Sequence, residues 1–299
     1  MKLTFLGTGT SQGVPVIACH CRVCRSGDPR DRRLRTSALL SVESEKCEVR
    51  SDAAQSGGSQ LTTYHLPLTT NILFDIGPDF RQQMLREDVG HLDAILITHA
   101  HRDHVGGLDD IRSFNYVQHS KMNVYLNDEA CHAIERDYHY IFEPHQYPGL
   151  PEADLHTVGG EVFSVQCSVS RDAAAPGTLN TEHSTLNTIN VTPIKAMHKD
   201  LPVLGFRIGE MAYITDANYI APEEMAKLKG VKVLVINALR KEKHFSHYSL
   251  PEALAVIEEV APERAFLTHI SHEMGLHEEV QAELPQGVEL AYDGLKVEI

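Results

Sequence analysis

Tryptophan is absent from the 299 residues, and positive charge is scarce: 27 Lys and Arg stand against 41 Asp and Glu, a formal net charge of −14. The missing tryptophan decides nothing about function. The shortage of positive charge does. A surface of this sign repels phosphate backbones and anionic membranes, which argues against an extended nucleic-acid surface while leaving room for a local pocket that takes one phosphate. Long apolar runs are lacking too. No stretch approaches the roughly 18 residues that a membrane helix needs. The start, Met1-Lys2-Leu3-Thr4-Phe5-Leu6-Gly7, enters a turn before it can form the core of a signal peptide. The chain is therefore expected to be cytoplasmic. Cysteines number only six, three of them crowded as Cys19-x-Cys21-x-x-Cys24. In a reducing compartment such crowding points to metal ligation before disulfides. Cys47, Cys131 and Cys167 are scattered and read as free thiols.

Hydrophobic residues make up 42% of the chain, enough for a large core and against global disorder. Short β-type runs recur at 2–6, 37–42, 71–74, 94–98, 123–126, 161–165, 190–196, 203–208, 212–215, 232–236 and 264–268. Helical patterns interleave at 78–87, 107–119, 128–138, 222–228, 251–260 and 277–284. Asp128 is placed to cap the helix it begins, and Pro222 and Pro251 suit a first helical turn. Clustered strands followed by helices favour an α+β arrangement, two sheets packed face to face with helices outside, over a doubly wound parallel sheet. Residues 1–299 are read as one domain, long for an average one but of a size that sheet-rich two-layered folds often reach. Two polar, small-residue stretches, 43–70 and 167–188, look inserted into it as hairpin extensions or loops.

The densest chemistry follows the apolar run Ala94-Ile95-Leu96-Ile97-Thr98. It reads His99-Ala100-His101-Arg102-Asp103-His104-Val105-Gly106-Gly107. Three imidazoles and a carboxylate at the end of a buried strand are expensive to bury unless they coordinate something. Imidazole and carboxylate together suit zinc, manganese or iron rather than calcium. His-x-His can turn two rings on one ion, and the Asp-His pair can reach a second. The glycine pair lets the backbone turn closely around the cluster.

This string resembles the signature of the metallo-β-lactamase superfamily. The resemblance implies a four-layer αββα sandwich and three further ligands in order, each closing a strand: His198, Asp216 and His269. It implies two divalent metals, manganese or zinc with iron also suited. One would be held by His99, His101 and His198, the other by Asp103, His104 and His269, with Asp216 between them. Gly7-Thr8-Gly9-Thr10-Ser11-Gln12-Gly13-Val14-Pro15, followed by the cysteine trio, narrows the match. Together they resemble the cyclic-phosphate phosphodiesterases typified by the enzyme of the carbon–phosphorus lyase pathway, whose core is like that of the tRNA 3′-end endonuclease. That subgroup implies a structural zinc held by Cys19, Cys21, Cys24 and His272, with His20 a bystander. It also implies a catalytic His247, just before the helix near Pro251.

The implied chemistry is hydrolysis of a phosphodiester, a small cyclic phosphate above all, by a hydroxide bridging the metals, with Asp103, Asp216 and His247 as catalytic groups. His244, Asp75 and Asp79 are candidates to orient ligands, and Arg35 and Arg240 to meet a phosphate oxygen. The expected partner is a small-molecule substrate, and a homodimer is implied by resemblance alone. Rival readings are a thioester or other acyl hydrolase on the same fold, a tRNA 3′-end nuclease, and a non-enzymatic scaffold. The nuclease lacks the basic arm it would need, and the scaffold would not require every ligand to be present.

Overall fold

The computed structural model describes residues 1–52, 61–143, 149–166 and 188–299, with side chains described outside 44–52 and 61–68. Among the described residues, fifteen strands are built around the apolar runs. The first sheet holds β1 (Lys2–Gly7), β2 (Ser37–Asp52), β3 (Leu61–Phe74), β4 (Ala94–Leu96), β5 (Met122–Leu126), β6 (Ala153–Thr157) and β15 (Lys296–Glu298). Their spatial order is β15-β1-β2-β3-β4-β5-β6. The second holds β8 (Thr188–His198), β9 (Leu201–Ile208), β10 (Met211–Ile214), β11 (Tyr219–Ile220), β12 (Val233–Asn237), β13 (Arg264–Thr268) and β14 (Val288–Leu290). These are ordered β11-β8-β9-β10-β12-β13-β14, and β7 (Phe163–Gln166) joins β8.

Each sheet is half antiparallel and half parallel. Pairing is parallel through β3-β4-β5-β6 and through β10-β12-β13-β14. Because β8 and β10 both run antiparallel to β9, β8, β10, β12 and β13 all finish at one edge of their sheet. The loops beyond the carboxyl ends of such strands are where α/β proteins place ligands.

Continuous apolar runs make these strands because both faces are covered. Val233 and Val235 face the core between the sheets, while Leu234 and Ile236 face the helices. Ala94 and Leu96 likewise point inward, and Ile95 and Ile97 outward. The inter-sheet core is anchored by Phe74 stacked on Tyr213 at 4.6 Å and by Phe5 against Phe266 at 5.5 Å. Helices α1 (Phe80–Glu87), α2 (Arg102–Val105), α3 (Arg112–Gln118), α4 (Asp128–Asp137) and α5 (His139–Phe142) follow strands of the first sheet. Helices α6 (Pro222–Met225), α7 (Leu250–Val260) and α8 (His277–Glu283) follow strands of the second. Phe80, Ile111, Phe114 and Ile134 pack on the outer face of one sheet, and Leu250, Ile257 and Val280 on that of the other. The layers are therefore helix, sheet, sheet, helix, as expected. Among the described residues no helix is long and apolar enough to cross a membrane.

Several local expectations need correction. Asn127, not Asp128, caps α4: its side-chain oxygen accepts from the Ala130 N–H at 2.8 Å, and Asp128 lies inside the first turn. The pattern over 107–119 divides into a 3-10 turn at Leu108–Ile111 and α3. The short strands β6, β11, β14 and β15 escaped periodicity, since two to five residues carry little alternation. Pro222 and Pro251 do sit in first turns, and Glu252 secures the start of α7 by accepting from the Ser249 N–H and hydroxyl at 2.9 and 2.6 Å. Over 43–70 the backbone of β2 and β3 remains a paired hairpin as far as Asp52 and Leu61. The stretch at 167–187 lies outside the described residues.

Candidate metal centre

The sheet edge that carries the histidine motif and its expected partners is built from turns that bend the chain abruptly at strand ends. Asp75, Lys199, Asp216 and His269 all have left-handed backbones, with φ of 58°, 58°, 55° and 56°. Each costs on the order of 1–2 kcal/mol for a residue with a Cβ, so the surroundings must hold it. They do. Asn237 at the end of β12 brackets the turn after Asp216, accepting from the Ala217 N–H at 2.8 Å and donating to its carbonyl at 3.0 Å. The Ile270 N–H donates to the Thr8 carbonyl at 2.8 Å, tying the His269 turn to the loop after β1. The histidine motif is clamped in the same way: Ile76 N–H donates to His104 O and Gly107 N–H to Ile76 O, at 2.8 and 2.9 Å. A Cβ on Gly107 would lie 2.3 Å from the Gly77 carbonyl oxygen, so the close approach expected of the glycine pair is real at Gly107.

Four side chains converge deep in this edge. Asp103, His104, Asp216 and His269 bring ligand atoms within 4.8 Å of one another. Asp216 Oδ2 lies 3.1 Å from both His104 Nε2 and His269 Nδ1, and Asp103 Oδ2 lies 3.3 Å from His104 Nε2. Yet His104 Nε2 and His269 Nδ1, both buried, have no hydrogen-bond partner among the described residues. The other ring nitrogens are committed. His104 Nδ1 lies 2.7 Å from Asp75 Oδ2, and His269 Nε2 lies 3.1 Å from the Thr10 hydroxyl. With those nitrogens carrying the protons, the orphaned ones present lone pairs toward carboxylate oxygens, an arrangement that a cation among them resolves.

The charges agree. Burial alone would lower His104, but the carboxylates of Asp216, Asp103 and Asp75 hold it well above the usual imidazole range. Burial depresses His269 to about 3 and holds His99 far below its ordinary value, so both rings are neutral donors. Asp216 stays well below the carboxylate range despite burial, because His269 and His104 face it.

Beside this group lie three more imidazoles. His99 Nε2 is 2.9 Å from His101 Nδ1, and the His198 ring is 5.7 and 5.2 Å from those of His99 and His101. His198 Nδ1 donates to the Ser246 carbonyl at 2.8 Å, and His99 Nδ1 lies 3.0 Å from the Thr98 hydroxyl. His198 thereby keeps its Nε2 for the site, while His99 Nε2 faces His101 Nδ1. His247 closes the pocket: its Nε2 is 3.0 Å from Asp216 Oδ1, and it forms with His198 and Asp216 another group of mutually close donors.

A separate cluster joins the two ends of the chain. Cys19, Cys21 and Cys24 Sγ lie 3.4, 3.4 and 3.6 Å from His272 Nδ1. Zn–S bonds of about 2.3 Å and Zn–N bonds of about 2.0–2.1 Å at tetrahedral angles put sulfur and nitrogen about 3.6 Å apart, so the spacing fits a Cys₃His zinc. The Cys24 N–H donates to Cys21 Sγ at 3.4 Å and helps draw that thiol down to about 6. His20 is exposed and takes no part.

Residues 70–270 match the family described as the beta-lactamase superfamily domain. The chain belongs to the metallo-β-lactamase superfamily. It is 37% identical over 297 residues, 99% of its length, to a protein of Porphyromonas gingivalis (strain ATCC BAA-308 / W83) named octanoyltransferase. The match covers 51% of that protein, so the chain spans about half the length of this curated relative. Among solved structures, a diphosphatase of the PhnP family is similar over 100% of this chain and 97% of that one, at 32% identity and a TM-score of 0.77. The short form of human tRNase Z shares the fold at 17% identity and a TM-score of 0.63, over 100% and 99% of the two chains.

For a hydrolase of this superfamily, the supporting residues separate cleanly. Asp75 reaches His104, and it also accepts from the Thr98 N–H at 2.8 Å. Asp79 instead pairs with Arg35 at 3.0 Å, and Arg35 Nε donates to the Ser11 carbonyl. Arg240 is engaged with Glu273. Both arginines thus have carboxylate partners, and Asp79 contacts Arg35 rather than any of the candidate ligands. His244 Nδ1 is 3.2 Å from His247 Nδ1, which places it as a support for that ring. Thr10, Thr98, Ser246 and Asn237 went unread because single hydroxyls and amides carry no pattern. Asp75→Asn keeps the volume and removes the anionic acceptor behind His104. Metal affinity, followed by titration with a chromophoric chelator, should fall about 10- to 100-fold. An unchanged affinity would show that His104 needs no such partner.

Proposed function

We propose that this protein hydrolyses a small phosphodiester, a cyclic phosphate foremost. The observation that carries this reading is His247, held 3.0 Å from Asp216 with its other nitrogen braced by Ser246 and His244 at 3.1 and 3.2 Å. An imidazole so placed at the wall of a metal pocket is positioned to hand a proton to a departing oxygen, which an alkoxide leaving group requires. The name diphosphatase on the PhnP-family relative adds weight, since that chemistry too breaks a phosphorus–oxygen bond.

His99, His101 and His198 would hold one divalent ion and Asp103, His104 and His269 another, with Asp216 shared; manganese, zinc and iron all suit this donor set. When bound, the ions would supply a Lewis acid for phosphoryl oxygens and a water acidified toward neutral pH. The chain itself orients the donors through Asp75, Thr98, Ser246 and Thr10, and His247 moves the proton. Cys19, Cys21, Cys24 and His272 would hold a structural zinc.

The octanoyltransferase name favours a second reading, acyl chemistry at the same centre. The unmatched half of that relative is equally able to carry the activity in its name. A panel of 2′,3′- and 3′,5′-cyclic nucleotides, a ribose cyclic phosphate, an aryl diester, a diphosphate diester and an octanoyl thioester separates the two. With manganese or zinc loaded, a diester should turn over, and His247→Ala should lower kcat about 10²–10⁴-fold with metal content retained. Turnover of the thioester alone would reject the phosphodiester reading.

A further inference from the structure

Phe245 lies one residue from His244 and two from His247, and it is 69% exposed, although most phenylalanines of the chain are buried. Its ring meets His244 with centroids 4.4 Å apart, His244 is 5.1 Å from His247, and His247 is 4.5 Å from His198. A continuous line of rings thus runs from solvent to the metal pocket. Across from Phe245 stands Lys199, the residue after His198, with Nζ 5.9 Å from the ring centroid. That distance is the outer limit of cation–π attraction, so the lysine accompanies the ring without covering it. Asn218 joins the two loops: its side-chain oxygen accepts from the Lys199 N–H at 2.9 Å, and its amide donates to the Phe245 carbonyl at 3.0 Å. Lys199 is itself in the left-handed region, so the loop bearing the cation is bent toward this arrangement at a conformational cost. Lys199 Nζ also lies 3.4 Å from the exposed Asp200, a weak solvent-screened pair, so a stacking face and a cation stand together beside the histidine cluster.

We infer that Phe245, with Lys199 beside it, forms the platform that seats the planar aromatic part of the substrate, a nucleobase or similar ring attached to the scissile phosphate. This rests on the phosphodiester reading above and narrows its substrate class to base-bearing phosphates. The test compares 2′,3′-cyclic AMP with the base-free methyl riboside 2,3-cyclic phosphate, alongside equilibrium binding of AMP and ribose 5-phosphate to the metal-loaded protein. Phe245→Ala should raise the ratio of the two KM values, base-bearing over base-free, about tenfold. Phe245→Trp should restore the ratio, and Tyr116→Ala, at an exposed ring on α3, should not move it. A merely structural role through His244 would change both substrates alike, and that result, or no change, overturns the inference. If no diester is hydrolysed, the function proposed above fails. A preference for AMP over ribose 5-phosphate that Phe245→Ala abolishes would still establish the platform, and equal binding would refute it.

Discussion

Asp216→Asn is expected to abolish turnover, by about 10³-fold or more, and to leave the active site short of metal. One carboxylate serves several partners: Oδ2 faces His104, His269 and the Thr215 hydroxyl, and Oδ1 faces His247. The amide keeps the volume but loses the negative charge and one acceptor, so both ions would lose their shared ligand. Lewis-acid stabilisation is worth several kcal/mol, and about 4 kcal/mol corresponds to a thousandfold. The folded chain need not suffer. Asp75, Asp103 and Asp216 crowd three carboxylates around His104, and in metal-free protein the loss of one relieves repulsion. Metal analysis of purified variant protein, with turnover and thermal melting in chelator, checks all three parts. Two equivalents of active-site metal in the variant, with more than a tenth of the activity, would remove Asp216 from the bridging position.

Cys24→Ala should cost more stability than any single exposed substitution. The cysteine loop is held to the far end of the chain by His272, only three residues from His269. The same two segments meet again through Thr10 and Ile270, whose backbones bond at 3.1 Å, and through the Thr10 hydroxyl at His269. Loss of a structural metal belongs with the mutations that cost more than about 4 kcal/mol. For a chain of this size that is a fall in Tm on the order of 8 °C. Because the clip steadies the turn carrying His269, kcat should drop as well, by roughly tenfold. Zinc content should fall by one equivalent. A variant that melts with the parent and keeps its zinc would show that the four side chains are neighbours without a common ion.

Some of this centre was legible because its groups are contiguous. His99 to His104 share one turn after one strand, and no fold is needed to see that they act together. His198, Asp216, His269 and His272 are different. Each is an ordinary residue at a strand end, separated from the motif by up to 168 positions, and only the order of a family pattern singled them out. Asp75 and Asp79 were indistinguishable in sequence, four residues apart after the same strand. The left-handed turn at Asp75 points one carboxylate at His104, while α1 carries the other to Arg35. The carboxylate partners of Arg35 and Arg240, Asp79 and Glu273, were equally invisible in the sequence.

The sequence by itself determined the longer apolar strands and the layers, since apolar runs that must be covered on both faces admit few arrangements. It also determined the donor chemistry, since imidazole, carboxylate and thiolate select their metals by softness and geometry. Tertiary structure alone decided how each histidine ring is turned, that Asp75 stands behind His104 while Asp103 and Asp216 face its other nitrogen, and that Phe245 and Lys199 meet beside His244 and His198. Those are outcomes of backbone turns at strand ends and of contacts between segments far apart in the chain. Local pattern carries no record of them.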